Sequence, residues 1–176
     1  MLSYAVRKTA LPSPRRCGRI VPVTPKFHEL EDFAVRFAET DAAGVVHFSH
    51  FPRWAEDAEC DFFRRNGLSA FAGTPAETRS GWPKVSLKID YRAPARYADR
   101  IRVRIRPAAF PRPESRTIEW RFEILRVEKD GALSLLAAGT HTSVFAEISP
   151  EGEMHAAKAV PDDVRRALAA FFPEES

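Results

Sequence analysis

The sequence predicts an α+β fold in which one long helix packs against a curved, mostly antiparallel sheet of five strands. Apolar residues recur at helical spacing over residues 49–66, whereas apolar and polar residues alternate in several stretches before and after that segment. A turn signal between the last two alternating stretches predicts a hairpin. Because an amphipathic helix and a half-buried sheet each need an apolar partner, we expect them to form the two layers of one domain.

The predicted long helix carries its apolar residues on one face. Phe51, Trp54 and Phe62 fall together at helical spacing. Ser49 is a typical N-cap residue, and Gly67 is typical of the position just past a helix end. The large rings on this face need a concave apolar surface, which a curved sheet supplies.

Five stretches are predicted as strands, because each alternates apolar and polar side chains as a half-buried strand does. They cover residues 33–37, 85–91, 101–105, 118–124 and 133–147. The turn Lys129-Asp130-Gly131 joins the last two strands as a hairpin. A second helix is predicted from Pro161 to Phe172, since Pro-Asp-Asp is typical of a helix N-terminus.

Composition bounds the class of protein. A chain of 176 residues with 44% apolar content can bury one substantial core. The net charge of +3 comes with acidic residues spread along the chain, so nucleic acid is not an expected partner. No apolar run approaches the roughly 20 residues that cross a bilayer, and the 2 cysteines are too few for a disulfide scaffold. We expect a soluble, cytoplasmic protein.

The first 30 residues differ in composition from the rest. From Met1 to His28 there is no Asp or Glu, while arginines, lysines and prolines are frequent. We expect a flexible basic extension over residues 1–30; a targeting segment or a start placed too far upstream are the alternatives. The main domain is then predicted over residues 31–147, and a C-terminal extension with a helix over residues 148–176.

One long helix wrapped by a curved sheet is the arrangement of a hotdog fold. The stretch RFAETDAAGVVHFSHFPRWAEDAECDFFRRNG resembles the opening of the 4-hydroxybenzoyl-CoA thioesterase and YbgC-like acyl-CoA thioesterase family, and YRAPARYADRIRVRIR resembles its second-to-third strand connection. The resemblance covers about residues 31–147 and implies a hotdog thioesterase domain. It leaves the N-terminal extension and the terminal helix unexplained.

The resemblance assigns the central role to Asp41. Thioester hydrolysis needs a carboxylate near the carbonyl carbon and hydrogen-bond donors facing the carbonyl oxygen. The aspartate at this position of the family is the catalytic carboxylate, acting as nucleophile or as general base, and the sequence leaves both roles open. Aspartate is also typical of a turn that it stabilises by a local hydrogen bond, which is the structural alternative for Asp41.

Four neighbours of Asp41 are candidates for oxyanion binding or loop support. Gly44 permits a close backbone approach to substrate, although an ordinary turn glycine is the alternative. By resemblance, the backbone N–H of Phe48 is the best candidate to polarise the thioester carbonyl. His47 departs from the aromatic residue frequent in the family; it either donates to substrate or tunes Asp41, or it is a tolerated rim substitution. His50 either braces the loop or lies on the surface at the helix entry.

Other side chains are secondary candidates. A related hotdog subgroup uses a glutamate on the helix, which makes Glu56 and Glu59 reserve carboxylates. Glu56 lies away from the apolar stripe and is expected to face solvent or another subunit. Arg92 and Arg96 suit the phosphates of coenzyme A, because a guanidinium donates two parallel hydrogen bonds, although a solvated strand edge is the alternative.

The acyl group and the assembly are less defined. The family-like order of elements places Gly81, Trp82 and Pro83 on the acyl side. The resemblance implies a homodimer or homotetramer with the site at a subunit interface. His141 lies in a predicted strand and is expected to be a hydrogen-bonded structural residue.

We therefore expect an acyl-CoA thioesterase that converts an acyl-CoA, or an acyl group on a carrier protein, to the free acid. No metal and no redox cofactor is expected, because HExxH, Cys-x-x-Cys and GxGxxG patterns are missing from the sequence. A noncatalytic acyl-CoA-binding module is the first alternative. A hotdog hydratase or dehydratase is the second, and it would need a convincing histidine and carboxylate pair.

Overall fold

The computed structural model describes residues 26–70, 79–151 and 153–172, so most of the basic extension predicted over residues 1–30 lies outside the described residues. Within these ranges the strands are β1 (His28–Glu29), β2 (Phe33–Ala34), β3 (Arg79–Gly81), β4 (Lys84–Tyr91), β5 (Arg100–Pro107), β6 (Thr117–Val127), β7 (Leu133–Val144), β8 (Ala146–Ile148) and β9 (Met154–Ala157). The helices are α1 (His50–Arg65) and α2 (Asp162–Leu168), with 3₁₀ turns at Phe37–Glu39 and Ala169–Phe171.

The main sheet is antiparallel and has the order β1-β5-β6-β7-β4, with β2 also paired to β5. Its register brings Trp120 opposite His141 and Phe122 opposite both Ile105 and Gly139. The α+β class is confirmed, with one more strand in the sheet than the pattern indicated, because the short strands β1 and β2 both pair with β5. A second sheet of order β3-β8-β9 was not predicted.

Two predicted strands end earlier than the alternation suggested. The first strand stops at Ala34, because the chain then turns into the 3₁₀ helix Phe37–Glu39. The predicted strand over residues 133–147 is divided: β7 ends at Val144, and the Phe145 N–H donates to the Arg116 carbonyl at 2.8 Å. After this break the chain pairs with β3 instead of β4.

Helix α1 lies on the inner face of the main sheet. Phe51, Trp54 and Phe62 are each at most 3% exposed, which confirms the predicted apolar face. Burial of such rings stabilises the fold by about 2–3 kcal/mol per side chain. The edge of the Phe62 ring meets Trp120 of β6, with 5.3 Å between ring centroids.

The two ends of α1 differ from each other. Ser49 was predicted as a capping residue, but its hydroxyl makes no cap hydrogen bond and lies 2.8 Å from Nδ1 of His47 instead. The C-terminus ends as predicted: Gly67 has φ +67°, and the Leu68 N–H donates to the Phe63 carbonyl at 2.9 Å. This bond and the left-handed conformation of Gly67 form the helix C-cap that favours glycine.

The C-terminal segment completes the same core. Val160, Val164 and Leu168 are buried within the cluster that contains the aromatic face of α1. Phe171 adds a contact to Phe62, with ring centroids 5.5 Å apart. The terminal helix is thereby confirmed, and it ends at Leu168 before a short 3₁₀ turn.

Strand β4 forms one edge of the main sheet and is paired only with β7 among the described residues. Val85, Leu87 and Tyr91 on this strand are 56%, 49% and 45% exposed. Neither α1 nor α2, the two α-helices of the described ranges, has the length and hydropathy needed to cross a bilayer.

Candidate functional site

The loop over residues 40–48, which we call the Asp41 loop, is closed by its own backbone. The Asp41 N–H donates to the Val45 carbonyl at 2.8 Å, and the Gly44 N–H donates to the Asp41 carbonyl at 3.0 Å. Gly44 has φ +72°, a conformation that glycine adopts without the steric cost of a Cβ. The loop is therefore a tight, preformed turn between the 3₁₀ helix and α1.

The Asp41 carboxylate is exposed, and one of its two oxygens accepts a hydrogen bond. Its Oδ1 accepts a hydrogen bond from the Ala43 N–H at 2.8 Å, which is the local bond of an Asx turn. Oδ2 has no donor among the residues that the structure describes. One oxygen thus orients the side chain, while the other is free to attack a carbonyl or accept a proton.

The backbone N–H groups at the end of the same loop differ in whether they have an acceptor. The Val46 N–H donates to the Ala95 carbonyl at 2.8 Å, and the His47 N–H donates to the Glu39 carbonyl at 2.9 Å. The Phe48 N–H, which follows them, has no acceptor within the described ranges. It lies two residues before α1, on the side of the helix N-terminus, where the helix dipole favours negative charge. Phe48 is the donor that the sequence singled out for the oxyanion.

The buried carboxylate of Glu39 anchors the chain immediately before the Asp41 loop. Glu39, which is 4% exposed, accepts hydrogen bonds from the Arg36 N–H at 2.7 Å, the Arg36 guanidinium at 3.1 Å and the Trp54 indole at 3.2 Å. Burial raises the pKa of Glu39, but these donors outweigh it and hold the pKa below its ordinary value. Sequence reasoning missed Glu39; the signal was a buried Trp54 on α1 that needs an acceptor for its N–H.

The two histidines of the motif have different surroundings. His47 is exposed, its ring lies 4.4 Å from that of Phe48, and its Nδ1 contacts Ser49 and not Asp41. His50 is half-buried and points its Nδ1 toward Glu39, 3.9 Å from Oε1. The geometry therefore favours the loop-bracing role for His50 and the rim position for His47.

A small pocket adjoins Phe48. Its volume is about 290 Å³, and its walls are mostly apolar and aromatic. It is lined by Val46, Phe48, Phe51, Tyr91, Arg92, Ala93 and Pro94. The Tyr91 hydroxyl donates to the Phe48 carbonyl at 3.2 Å, which ties the edge strand β4 to the start of α1. Arg92 is the cationic group of this pocket.

The residues predicted on the acyl side do not reach that pocket. Trp82 is 6% exposed and stacks on Phe63, with centroids 5.3 Å apart, and on Phe145 at 4.9 Å. The flat ring is thus held inside the core, between Gly81, the last residue of β3, and Pro83, which precedes β4. This apolar packing leaves little of the Trp82 side chain exposed.

The two reserve carboxylates, Glu59 and Glu56, have different surroundings. Glu59 is 1% exposed and accepts hydrogen bonds from Lys84 at 2.7 Å, His141 at 2.7 Å and Ser143 at 2.8 Å. Burial raises its pKa, but these partners outweigh burial and keep the pKa below its ordinary value. Both oxygens of Glu59 are occupied, so the geometry favours a structural role for this carboxylate, and His141 is its hydrogen-bonded partner as predicted. Glu56 is exposed, 3.9 Å from Lys84.

Comparison of the sequence with known families gives a clear match. The model of the thioesterase-like superfamily matches residues 35–168. A Synechococcus sp. (strain WH7803) protein named 1,4-dihydroxy-2-naphthoyl-CoA hydrolase is 30% identical over 142 residues, which are 77% of this chain and 85% of that protein. A protein of the same name from Synechococcus sp. (strain CC9605) is 40% identical over 78 residues, 42% of this chain and only 52% of the relative's length. In this second alignment the chain spans about half of the relative's length.

Solved structures share the architecture. A 4-hydroxybenzoyl-CoA thioesterase variant in complex with 4-hydroxybenzoyl-CoA superposes with a TM-score of 0.65 at 20% identity, over 80% of this chain and 99% of the other. The 1,4-dihydroxy-2-naphthoyl-CoA thioesterase of Synechocystis gives a TM-score of 0.61 at 24% identity, over 82% and 96%. These likenesses confirm the hotdog fold. Because the family model matches residues 35–168, which include both α-helices and strands β3 to β9, the chain belongs to the thioesterase-like superfamily.

Proposed function

We propose that this protein is an acyl-CoA thioesterase that hydrolyses an acyl-CoA to the free acid and coenzyme A. The observation that carries the proposal is the Asp41 loop, which contains both a carboxylate with a free oxygen and the unengaged N–H of Phe48. A thioester carbonyl needs both groups, one toward its carbon and one toward its oxygen. Membership of the thioesterase-like superfamily supports the same activity.

Two routes are compatible with this geometry. As general base, Asp41 takes a proton from water, the hydroxide adds to the carbonyl carbon, and the C–S bond breaks to release the coenzyme A thiolate, which is then protonated. As nucleophile, Asp41 itself adds to the carbon and expels the thiolate, and water then cleaves the mixed anhydride. In both routes the Phe48 N–H stabilises the negative oxygen. Water is the only co-reactant, so we propose no metal and no cofactor beyond the coenzyme A of the substrate.

We further propose an aromatic acyl group. The pocket beside Phe48 presents the rings of Phe51 and Tyr91, and relatives are named for hydrolysis of 1,4-dihydroxy-2-naphthoyl-CoA. Aromatic rings pack against such walls with favourable offset or edge contacts. Arg92 and Arg96 remain the proposed contacts for coenzyme A phosphates. An acyl-carrier protein as donor of the acyl group is the alternative.

The open edge of the sheet supports a homodimer. Val85, Leu87 and Tyr91 expose apolar surface on β4, whose outer edge is unpaired among the described strands. An exposed apolar edge strand favours pairing with another chain. A second copy on β4 would come close to Tyr91 and hence to the pocket. A homotetramer would require a further interface between two such dimers. The cytoplasmic location stays a prediction.

A noncatalytic acyl-CoA-binding module is the second candidate. The bond from Ala43 to Oδ1 gives Asp41 a structural role that needs no catalysis. A hydratase or dehydratase is less favoured, because His47 contacts Ser49 and not the Asp41 carboxylate. Free-thiol release from acyl-CoAs with short, long and aromatic acyl groups separates the candidates: the thioesterase releases thiol, whereas the module binds without turnover and the hydratase leaves the thioester intact.

A further inference from the structure

Two exposed aromatic rings lie near the Asp41 loop and have no role in the steps described above. Phe37 is 77% exposed and Tyr97 is 62% exposed, although each is large enough to bury in a core. Their ring centroids are 6.0 Å apart, with an interplanar angle of 87°. Two exposed rings at right angles form an open corner in which a flat aromatic ligand can stack on one ring and meet the other.

The first ring is attached to the Asp41 loop itself. The Phe37 carbonyl accepts hydrogen bonds from the N–H of Thr40 at 3.1 Å and from its hydroxyl at 2.7 Å. Thr40 immediately precedes Asp41 in the chain. The backbone at Phe37 is therefore fixed one 3₁₀ turn before the proposed catalytic carboxylate.

The second ring ends a segment that starts at the pocket beside Phe48. This segment runs from Arg92, which lines the pocket, to Tyr97. Midway along it, the Ala95 carbonyl accepts the Val46 N–H at 2.8 Å, so the segment lies against the Asp41 loop. The segment therefore connects the pocket beside Phe48 with the aromatic corner along the chain.

Cationic groups accompany the two rings. Arg36 precedes Phe37 and has a side chain that is 80% exposed while one nitrogen contacts Glu39 at 3.1 Å. Arg96 precedes Tyr97; its side chain is exposed and has no hydrogen-bond or ion-pair partner in the described ranges. Guanidinium groups bind phosphates, and aromatic rings bind the faces of bases. This combination is complementary to a nucleotide.

We propose that Phe37 and Tyr97 bind the adenine ring of the coenzyme A moiety, with Arg96 directed to its phosphates. This inference rests on the proposed function, because it takes a coenzyme A thioester as the ligand, and it adds the position of the nucleotide end. The pantetheine arm then follows the segment from Arg92 to Tyr97. Because of this aromatic corner, the enzyme hydrolyses coenzyme A thioesters with a higher kcat/KM than thioesters that lack the nucleotide.

The test compares one acyl group on two thiols. Hydrolysis is measured with the acyl-CoA and with the same acyl group on N-acetylcysteamine, which lacks the nucleotide. In Phe37→Ala and Tyr97→Ala, the ratio of kcat/KM for acyl-CoA to kcat/KM for the short thioester is expected to fall about three- to thirtyfold. Tyr97→Phe keeps the ring and retains most of the ratio. Leu133→Ala, an exposed apolar position at the hairpin end, is the matched control and leaves the ratio unchanged.

Two results of this comparison decide against the adenine site. An unchanged ratio in folded Phe37→Ala and Tyr97→Ala, including equal loss on both substrates, would assign the rings to the structure of the loop. A change in assembly size by light scattering, with the ratio unchanged, would assign them to a subunit contact. If the wild type hydrolyses neither substrate, the proposed function fails separately. Calorimetric titration of coenzyme A into the same variants then decides: about three- to thirtyfold weaker binding supports the site, and equal Kd values overturn it.

Discussion

The indole N–H of Trp54 donates to Oε1 of Glu39 at 3.2 Å, and this bond joins α1 to the start of the Asp41 loop. Both partners are buried, so neither can exchange the bond for one to water. Arg36 holds the same carboxylate through its backbone and its side chain. The position of the loop relative to the helix therefore depends on one buried acceptor.

Replacing Trp54 by Phe removes this donor and keeps an aromatic ring. We expect Trp54→Phe to lower the free energy of unfolding by about 1–3 kcal/mol and kcat by about five- to tenfold, because the loop that carries Asp41 loses its anchor. Urea unfolding and steady-state hydrolysis measure the two effects. Trp120→Phe is the matched control, since the buried Trp120 N–H has no partner among the described residues. Equal kcat values in the two variants would contradict the anchoring role.

The network around Glu59 is expected to stabilise the fold and not to act on substrate. Glu59→Gln leaves Lys84 and His141 without a carboxylate, so we expect a loss of about 2–3 kcal/mol in the free energy of unfolding. Glu56→Gln, on the exposed side of the same helix, is expected to change stability by less than about 0.5 kcal/mol. Denaturant titration gives the stabilities, and kcat per folded molecule gives the activity. Loss of kcat in folded Glu59→Gln would restore it as a candidate for chemistry.

Acid is expected to destabilise the protein in two steps. Burial raises the pKa values of Glu39, Glu59 and Asp61, but their donors outweigh it and hold these pKa values below the ordinary 4.5 for Glu and 3.8 for Asp. Their stabilisation is complete above those ordinary values and is lost as pH falls through the lower folded-state values. Burial lowers the pKa of His28 below 6.5, so a smaller loss begins below pH 6.5.

Calorimetric Tm values between about pH 3 and pH 8 check this prediction. The Tm is expected to be flat above pH 6.5, to fall slightly below it, and to fall steeply below pH 4.5. Glu59→Gln serves as the internal control, because it removes one of the titrating carboxylates and makes the acid slope shallower. A Tm that stays constant through pH 4, or an unchanged slope in the variant, would argue against the buried carboxylates as its cause.

Gly139 is expected to tolerate no side chain. It lies on the inner face of β7, and a Cβ there would overlap the Lys88 carbonyl and lie 2.7 Å from Cζ of Phe122. We expect Gly139→Ala to lower the free energy of unfolding by about 1–3 kcal/mol through this overlap. Thr142→Ala on the same strand is the comparison, with an expected effect within about 0.5 kcal/mol. Similar urea midpoints for both variants would show that the sheet relaxes around the added methyl group.

The parts of the fold that sequence predicted are those set by local period or by a motif. The aromatic face of α1 follows from the spacing of Phe51, Trp54 and Phe62, and the end of the helix follows from Gly67. Strand β1 was assigned to the basic extension, because a strand of 2 residues has no readable period. The break after Val144 was missed, since it depends on a hydrogen bond to the distant Arg116 carbonyl.

The site residues also divide into those that a local motif predicts and those that depend on contacts between distant parts of the chain. Asp41, Gly44 and Phe48 were predicted from a contiguous motif, and the structure brings them into one loop. Glu39 and Trp54 were not linked, because their contact joins residues on different elements. Trp82, Phe63 and Phe145 come from three separate parts of the chain, so the packing of their rings could not be deduced from spacing. Tertiary contacts of this kind are not encoded in any local pattern.

The central claim is that Asp41 acts on the thioester carbonyl, and free-thiol release by wild type and Asp41→Asn tests it most directly. Both proteins are compared on aromatic, short-chain and long-chain acyl-CoAs in folded samples of equal assembly size, with Glu56→Gln as the control for loss of an exposed carboxylate on α1. We predict turnover by wild type and Glu56→Gln, and a fall in kcat of about 10²- to 10⁴-fold in Asp41→Asn with coenzyme A binding retained. Equal turnover by Asp41→Asn, or no thiol release by wild type from any acyl-CoA, would contradict it.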